Sequence, residues 1–213
     1  MDNILVIAPH IDDEVLGVGG TISKHINAGD TVTVVAVTDR LEYKDKQRKE
    51  ALKVSDYFNL EDYYFLGLKD MYLDVCLKEI IDPLEHIYNN VKPNIVYGPY
   101  GGDINIDHQA VNRAMTVVCR THQKQKLDKF LLYEIPSSTE QGVVDNFNPN
   151  YFSVLTRKNL KEKIETFSFY EDEYRPYPNP RNADGITAYA DFRGMQCSNE
   201  YAEAFMSIRQ VVK

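Results

Sequence analysis

Tryptophan is absent from this chain and cysteine nearly so, with three thiols, Cys76, Cys119 and Cys197, in 213 residues. An odd count with no CxxC pair excludes a disulfide framework and a thiolate zinc site. No apolar run approaches the roughly 20 residues that span a bilayer. The opening MDNILVIAP lacks the basic start and longer apolar stretch of a secretory leader. Basic side chains are also in deficit: 24 Lys and Arg against 32 Asp and Glu give a net charge of −8. That excludes nucleic acid as a partner, because binding a phosphate backbone needs a basic face. There is no internal repeat and no low-complexity tract. Hydrophobic residues at 43% and charged residues at 26% exclude wholesale disorder. These absences leave a cytoplasmic globular chain, compatible with a homo-oligomer, whose length suits a single domain able to fold without disulfides.

What is present alternates. Residues 4–8 form a continuous apolar run, as a strand buried on both faces should. Residues 13–27 carry a helical stripe of Val15, Leu16, Ile22 and Ile26, stopped by Ala28-Gly29. The β-branched run 31–37 is a second strand. Residues 46–58 read as a helix with Ala51, Leu52, Val54 and Phe58 inward. Further strands are expected at 63–66, 95–97 and 130–134, and helices at 79–90 and 107–122. Alternation of this kind predicts an α/β fold with a mainly parallel sheet covered on both faces, its ligands beyond the carboxyl ends of the strands.

After about residue 135 the pattern weakens. Residues 137–150 read as a long polar loop, 158–172 as an amphipathic helix, and the proline-rich 174–185 as irregular. Residues 186–194 and 198–209 read as helices. We therefore expect one domain over 1–213, with an α/β core over 1–135 and an extension with substrate-side loops over 136–213.

Chemistry gathers where the sheet argument places it. The first strand runs into Pro9-His10-Ile11-Asp12-Asp13-Glu14, three carboxylates and an imidazole within five positions. Acids favour helix N-termini at about 0.3–1 kcal/mol each. Capping explains one or two of them, but not the histidine and a third acid. Crowded like charges call for a cation. The strand at 95–97 likewise runs through a glycine-rich loop into Asn105-Ile106-Asp107-His108. Two His/Asp clusters at one edge of a parallel sheet suit a composite metal site, and two histidines with a carboxylate and one open position are the ligand set of catalytic zinc.

Pro-His-Ile-Asp-Asp-Glu resembles the A-H-P-D-D-E signature of the LmbE-like/PIG-L family of zinc-dependent N-deacetylases. In order along the chain, Arg48-Lys49-Glu50-Ala51 resembles the family's R-x-E-A helix, and Phe65-Leu66-Gly67-Leu68-Lys69-Asp70 its F-L-G-x-x-D segment. Asp107-His108 resembles the end of its H-x-D-H motif, and Tyr201-Ala202-Glu203-Ala204-Phe205 its late A-E-A-F stretch. The resemblance is thin between about 137 and 188. It implies a Rossmann-like three-layer sandwich with a C-terminal extension. It implies a zinc-dependent hydrolase that removes the acetyl group from an N-acetylated amino sugar, such as an N-acetylglucosamine conjugate. His10, Asp13 and His108 would hold Zn2+ or another divalent transition metal, and a water activated there would attack the amide carbonyl. Asp12 would be general base and then acid. Two positions depart from the family pattern: Ile11 replaces a proline, and Asn105 replaces a histidine thought to stabilise the oxyanion, leaving a neutral donor.

Glu14 and Asp107 are candidates to orient the imidazoles, with helix capping as the competing role for each. Thr38, Asp39 and Arg40 follow the second strand and can reach substrate. Arg48, Asp39 and Tyr100 are substrate-binding candidates, and Tyr100, Tyr174 and Tyr177 offer faces for a sugar, although ordinary packing competes for each. Gly17-Val18-Gly19-Gly20 hints at a dinucleotide fingerprint, but the glycines come too late after the strand. Close helix–sheet packing accounts for them better. His25, His86 and His122 lack acidic neighbours in sequence and read as structural or surface residues, and the cysteines as buried small hydrophobes. Two other functions stand beside the deacetylase reading. One is a nucleotide-dependent oxidoreductase or transferase. The other is a non-catalytic carbohydrate-binding relative, for which Asn105 is the hint.

Overall fold

The computed structural model describes residues 1–75, 77–143 and 145–212; Cys76, expected as a buried small hydrophobe, lies outside the described residues. The apolar runs become strands β1 (Asn3–Ala8), β2 (Thr31–Asp39), β3 (Asp62–Lys69), β4 (Ile95–Pro99) and β5 (Lys129–Tyr133). Helices α1 (Asp13–Ala28), α2 (Lys44–Phe58), α3 (Leu77–Val91) and α4 (Ile106–Val118) connect them. The remaining elements are β6 (Tyr151–Leu155), α5 (Arg157–Phe167), α6 (Ala183–Gln196) and β7 (Tyr201–Gln210). They build one seven-stranded sheet in the order β3-β2-β1-β4-β5-β7-β6. All neighbours from β3 to β5 are parallel, and β7 runs antiparallel to both β5 and β6.

Alternation along the central strands divides the interior into two cores. Ile4 and Val6 of β1 face α1, α2, α5 and α6 through Val15, Leu16, Val54, Leu160 and Ile186. Leu5 and Ile7 face α3 and α4 through Ile80, Leu84, Val111 and Met115. The result is the expected three-layer α/β arrangement with a mainly parallel sheet. No helix among the described residues is long and apolar enough to cross a membrane.

The glycines of α1 let that helix lie on the sheet. A Cβ at Gly17 would enter the ring of Tyr133 on β5, and one at Gly20 would strike Leu155 on β6. Tyr133 in turn donates its hydroxyl hydrogen bond to the Ile7 carbonyl at 2.7 Å, tying β5 to β1.

The C-terminal third departs from the sequence reading. The stretch 198–209, expected as a helix, instead carries β7 from Tyr201 onward, where Ala202, Ala204 and Phe205 are buried between two neighbouring strands. Alanine, glutamate and methionine favour helix, but strand partners on both sides outweigh that weak preference. β6 follows directly on the loop expected over 137–150, in a stretch for which no element was expected, and helix α5 stops at Phe167, short of 172. Helix α4 also ends early, at Val118. Leu52 is 47% exposed, because the inward stripe of α2 is Gln47, Glu50, Ala51, Val54 and Phe58. Cys119 is buried as expected, but Cys197 is only partly so.

Candidate metal centre

Strands β1 and β4 are neighbours, yet the chain leaves them toward opposite edges of the sheet. The crevice beyond their carboxyl ends is the switch point where open α/β sheets bind ligands. His10 follows β1 and His108 stands in the first turn of α4, after β4, so the fold carries two segments 98 residues apart to the same crevice.

Three ligand-capable atoms converge there. His10 Nδ1 lies 3.0 Å from Asp13 Oδ2. His108 Nε2 lies 3.2 Å from that same oxygen and 3.2 Å from His10 Nδ1. A tetrahedral cation with nitrogen and oxygen ligands at about 2.0–2.2 Å spaces those ligand atoms roughly 3.3–3.6 Å apart. The triangle is slightly tighter than that and fits one divalent ion with a face left open. Asp13 Oδ1 is buried and has no hydrogen-bond partner among the described residues, a costly state that a cation relieves.

Acids face the outward nitrogens. His10 Nε2 faces Asp107 Oδ2 and Asp70 Oδ1, each at 3.3 Å, and His108 Nδ1 faces Asp103 Oδ2 at 3.1 Å. A proton on each outward nitrogen leaves both lone pairs aimed at the shared point, the arrangement that orients metal-bound imidazoles. His10, Asp70 and Asp107 form a second grouping within ligand distance. Its oxygens are already engaged: Asp107 accepts from the Met71 and Leu73 amides at 2.7 and 3.2 Å, and Asp70 accepts from Arg40 Nε at 3.3 Å. The His10–Asp13–His108 triangle is therefore the better cation site.

Electrostatics agree. Burial lowers the affinity of both imidazoles for a proton, but hydrogen bonds donated to Asp107, Asp13 and Asp70 hold His10 well above its ordinary range. The charge of Asp13 and the hydrogen-bonding carboxylate of Asp103 likewise raise His108. Burial alone would raise Asp13, yet His108 and His10 keep it well below the carboxylate range. The hydrogen bond from His10 holds Asp70 at about 2. A pair of imidazoles that attracts protons this strongly is a pocket of negative potential, and an incoming cation displaces those protons.

Asp12 points elsewhere. Its backbone φ of 124° is unusual for a side-chain-bearing residue, and its carboxylate makes no cap bond to α1. Instead Asp12 Oδ2 accepts from Arg181 Nη1 at 2.9 Å. Burial pushes Asp12 up to about 8 against the pull of Arg181, and a bound cation would bring it back down. Glu14 accepts the Asp12 amide at 3.1 Å and the Tyr170 hydroxyl, rather than either imidazole. Asn105 caps α4, its Oδ1 accepting from the Asp107 amide at 2.9 Å.

Three other candidates make no hydrogen bond or ion pair to this cluster. Arg48 and Asp39 satisfy each other, with Arg48 Nη2 donating to Asp39 Oδ2 at 2.5 Å. Tyr100 is 7% exposed, and its hydroxyl donates to the Asn146 carbonyl. His25 bonds Asp30 and Tyr97, as a structural histidine should. Sequence reasoning passed over Asp70, Asp103, Glu173 and Arg181. The first two lie inside stretches already notable for their motifs. The last two carried no signal, because the partners that tie them to the site, Arg40 and Asp12, are more than 130 residues away.

The model of the family described as PIG-L, GlcNAc-PI de-N-acetylase, matches residues 5–119. The uncharacterized deacetylase YaiS of Escherichia coli K12 is 28% identical over 174 residues, covering 75% of this chain and 90% of that protein. The probable N-acetyl-alpha-D-glucosaminyl L-malate deacetylase 2 of Bacillus subtilis 168 is 28% identical over 144 residues, covering 60% of this chain and 64% of its own length. Among solved structures, the N,N'-diacetylchitobiose deacetylase of Pyrococcus horikoshii superposes with a TM-score of 0.79 at 20% identity, covering 96% of this chain and 83% of that one.

Proposed function

The chain belongs to the PIG-L family of deacetylases, and from that premise we propose that it removes the acetyl group from the nitrogen of an acetylated amino sugar or its conjugate, using a divalent metal. The observation that carries the metal is the convergence of His10 Nδ1, His108 Nε2 and Asp13 Oδ2 within 3.0–3.2 Å of one another. Zinc is the metal we assign, because two imidazoles and one carboxylate with an open position are a catalytic zinc set. The amino-sugar class is supported by the family's GlcNAc-PI de-N-acetylase and by the similarity to the Bacillus and Pyrococcus deacetylases.

An amide resists hydrolysis because water is a weak nucleophile and nitrogen a poor leaving group. When bound, the metal supplies a more acidic water and a polarised substrate carbonyl. His10, Asp13 and His108 would hold it, and Asp107 and Asp103 would keep the two imidazoles turned toward it. Asp12 is the base. With Oδ2 committed to Arg181, it takes the proton of the attacking water on Oδ1 and returns it to the departing amine. Proton transfer of this kind contributes about 10²–10⁴-fold. Asn105 keeps Nδ2 as a neutral donor toward the carbonyl oxygen as charge develops there.

The test is an acetate-release screen over N-acetylglucosamine conjugates, with metal quantified in every sample. Asp12→Asn should retain metal and lose rate, whereas His10→Ala should lose metal. A fully metallated and active His10→Ala would end the assignment.

A further inference from the structure

The candidate base is restrained from a direction that amide hydrolysis does not itself demand. Arg181 stands in the loop between α5 and α6, far along the chain from Asp12. Its Nη1 donates to Asp12 Oδ2 at 2.9 Å and to Glu173 Oε2 at 3.0 Å, while its Nε donates to Ser137 Oγ at 2.8 Å. The other oxygen of buried Glu173 accepts from Arg40 Nη1. Arg40 Nε donates to Asp70 Oδ2 at 3.3 Å, and Asp70 Oδ1 faces His10 Nε2 at 3.3 Å. Opposite charges thus alternate from Asp12 through Arg181, Glu173, Arg40 and Asp70 to His10. The series begins at the base and ends at a metal ligand.

We propose, resting on the deacetylase reading above, that Arg181 is a positioning residue for Asp12. In this role the loop of residues 168–182 is part of the catalytic frame. Three restraints act on Asp12: a left-handed backbone, the Glu14 oxygen on its amide, and the Arg181 guanidinium on Oδ2. Together they fix the carboxylate plane and present Oδ1, which takes no hydrogen bond among the described residues. Arginine suits the task because its rigid planar fork engages Ser137, Glu173 and Asp12 at once. A lysine ammonium is a single flexible point charge and cannot span all three. Glu173 and Arg40 anchor the fork, since a guanidinium bonded only to Asp12 would swing with it.

Arg181→Ala in the metal-loaded full chain should lower kcat by about 100-fold, the scale of a misplacement near 1 Å, and leave KM within about threefold. Added guanidinium ion should restore at least about tenfold of that loss by refilling the vacated position. Arg181→Lys should fall between wild type and Arg181→Ala, and metal content should match wild type in both. A crystal structure of Arg181→Ala should show the Asp12 carboxylate rotated away. Unchanged kcat, a loss confined to KM, or an unmoved Asp12 would each overturn the proposal. The two readings fail separately: a wild type that releases no acetate from any conjugate refutes the deacetylase reading, while the position of Asp12 in the variant crystal still decides what Arg181 does.

Discussion

Asp103→Asn isolates the contribution of one oxygen behind a metal ligand. Asp103 is buried, and its Oδ2 accepts from Ser138 Oγ at 2.8 Å and Thr139 Oγ1 at 2.5 Å while facing His108 Nδ1 at 3.1 Å. Its Oδ1 accepts from the Asn105 amide at 2.8 Å. An asparagine keeps only one of these oxygens. If the amide oxygen stays toward His108, its NH2 meets the Asn105 N–H, donor against donor. If it turns, the NH2 meets the imidazole N–H. In both orientations His108 loses the negative charge that makes its Nε2 a strong ligand. Losing such a partner typically weakens metal binding by 10–100-fold, about 1.4–2.7 kcal/mol. Chelator-competition titration measures this directly. Thr139→Val is the control, since it removes one donor but keeps the charge, and should stay within about threefold of wild type. An Asp103→Asn protein that holds metal as tightly as wild type would refute the claim that this acid tunes the site.

Three more outcomes follow from the packing and the charges. Gly17→Ala drives a methyl into the Tyr133 ring and should cost about 1–3 kcal/mol in urea unfolding; an unchanged midpoint would mean that α1 can lift off the sheet freely. Lys163→Met strands Glu203, whose partner Nζ lies 2.6 Å away in a buried pair, and should cost about 3–5 kcal/mol; a neutral result would mean that the two amides bonded to Glu203 suffice. Burial raises Glu14 to about 7 from an ordinary 4.5. The folded, metal-free protein therefore holds this proton after the unfolded chain has released it, and stability falls as pH rises from about 4.5 to 7. Glu14→Gln should flatten that limb in denaturation at pH 5 and pH 8, and an identical slope in the variant would locate the effect elsewhere.

The parallel half of the sheet was legible because β1, β2 and β4 are largely buried and read as short apolar or β-branched runs. The antiparallel half was not. β7 is built largely from helix-favouring residues and owes its conformation to β5 and β6, which are remote in sequence. The same division runs through the site. His10, Asp12, Asp13, Asp107 and His108 were visible as clusters because each follows a strand whose end is easy to place. Arg181 and Glu173 sit in a proline-rich loop, where no periodicity links them to the first turn of α1. Their meaning exists only once the chain has folded back on itself.

The position of β7 has a consequence for the order in which the molecule is made. It is inserted between β5 and β6, so an interior strand of the sheet is synthesised after both of its neighbours. Every residue of the metal triangle leaves the ribosome before β7 exists. Until it arrives, β5 has an open edge and α1 lacks the Glu203 carboxylate that binds the Gly20 and Thr21 amides. A nascent chain halted before residue 201 would carry all the metal ligands on an unfinished sheet, exposed to strand-swapped aggregation.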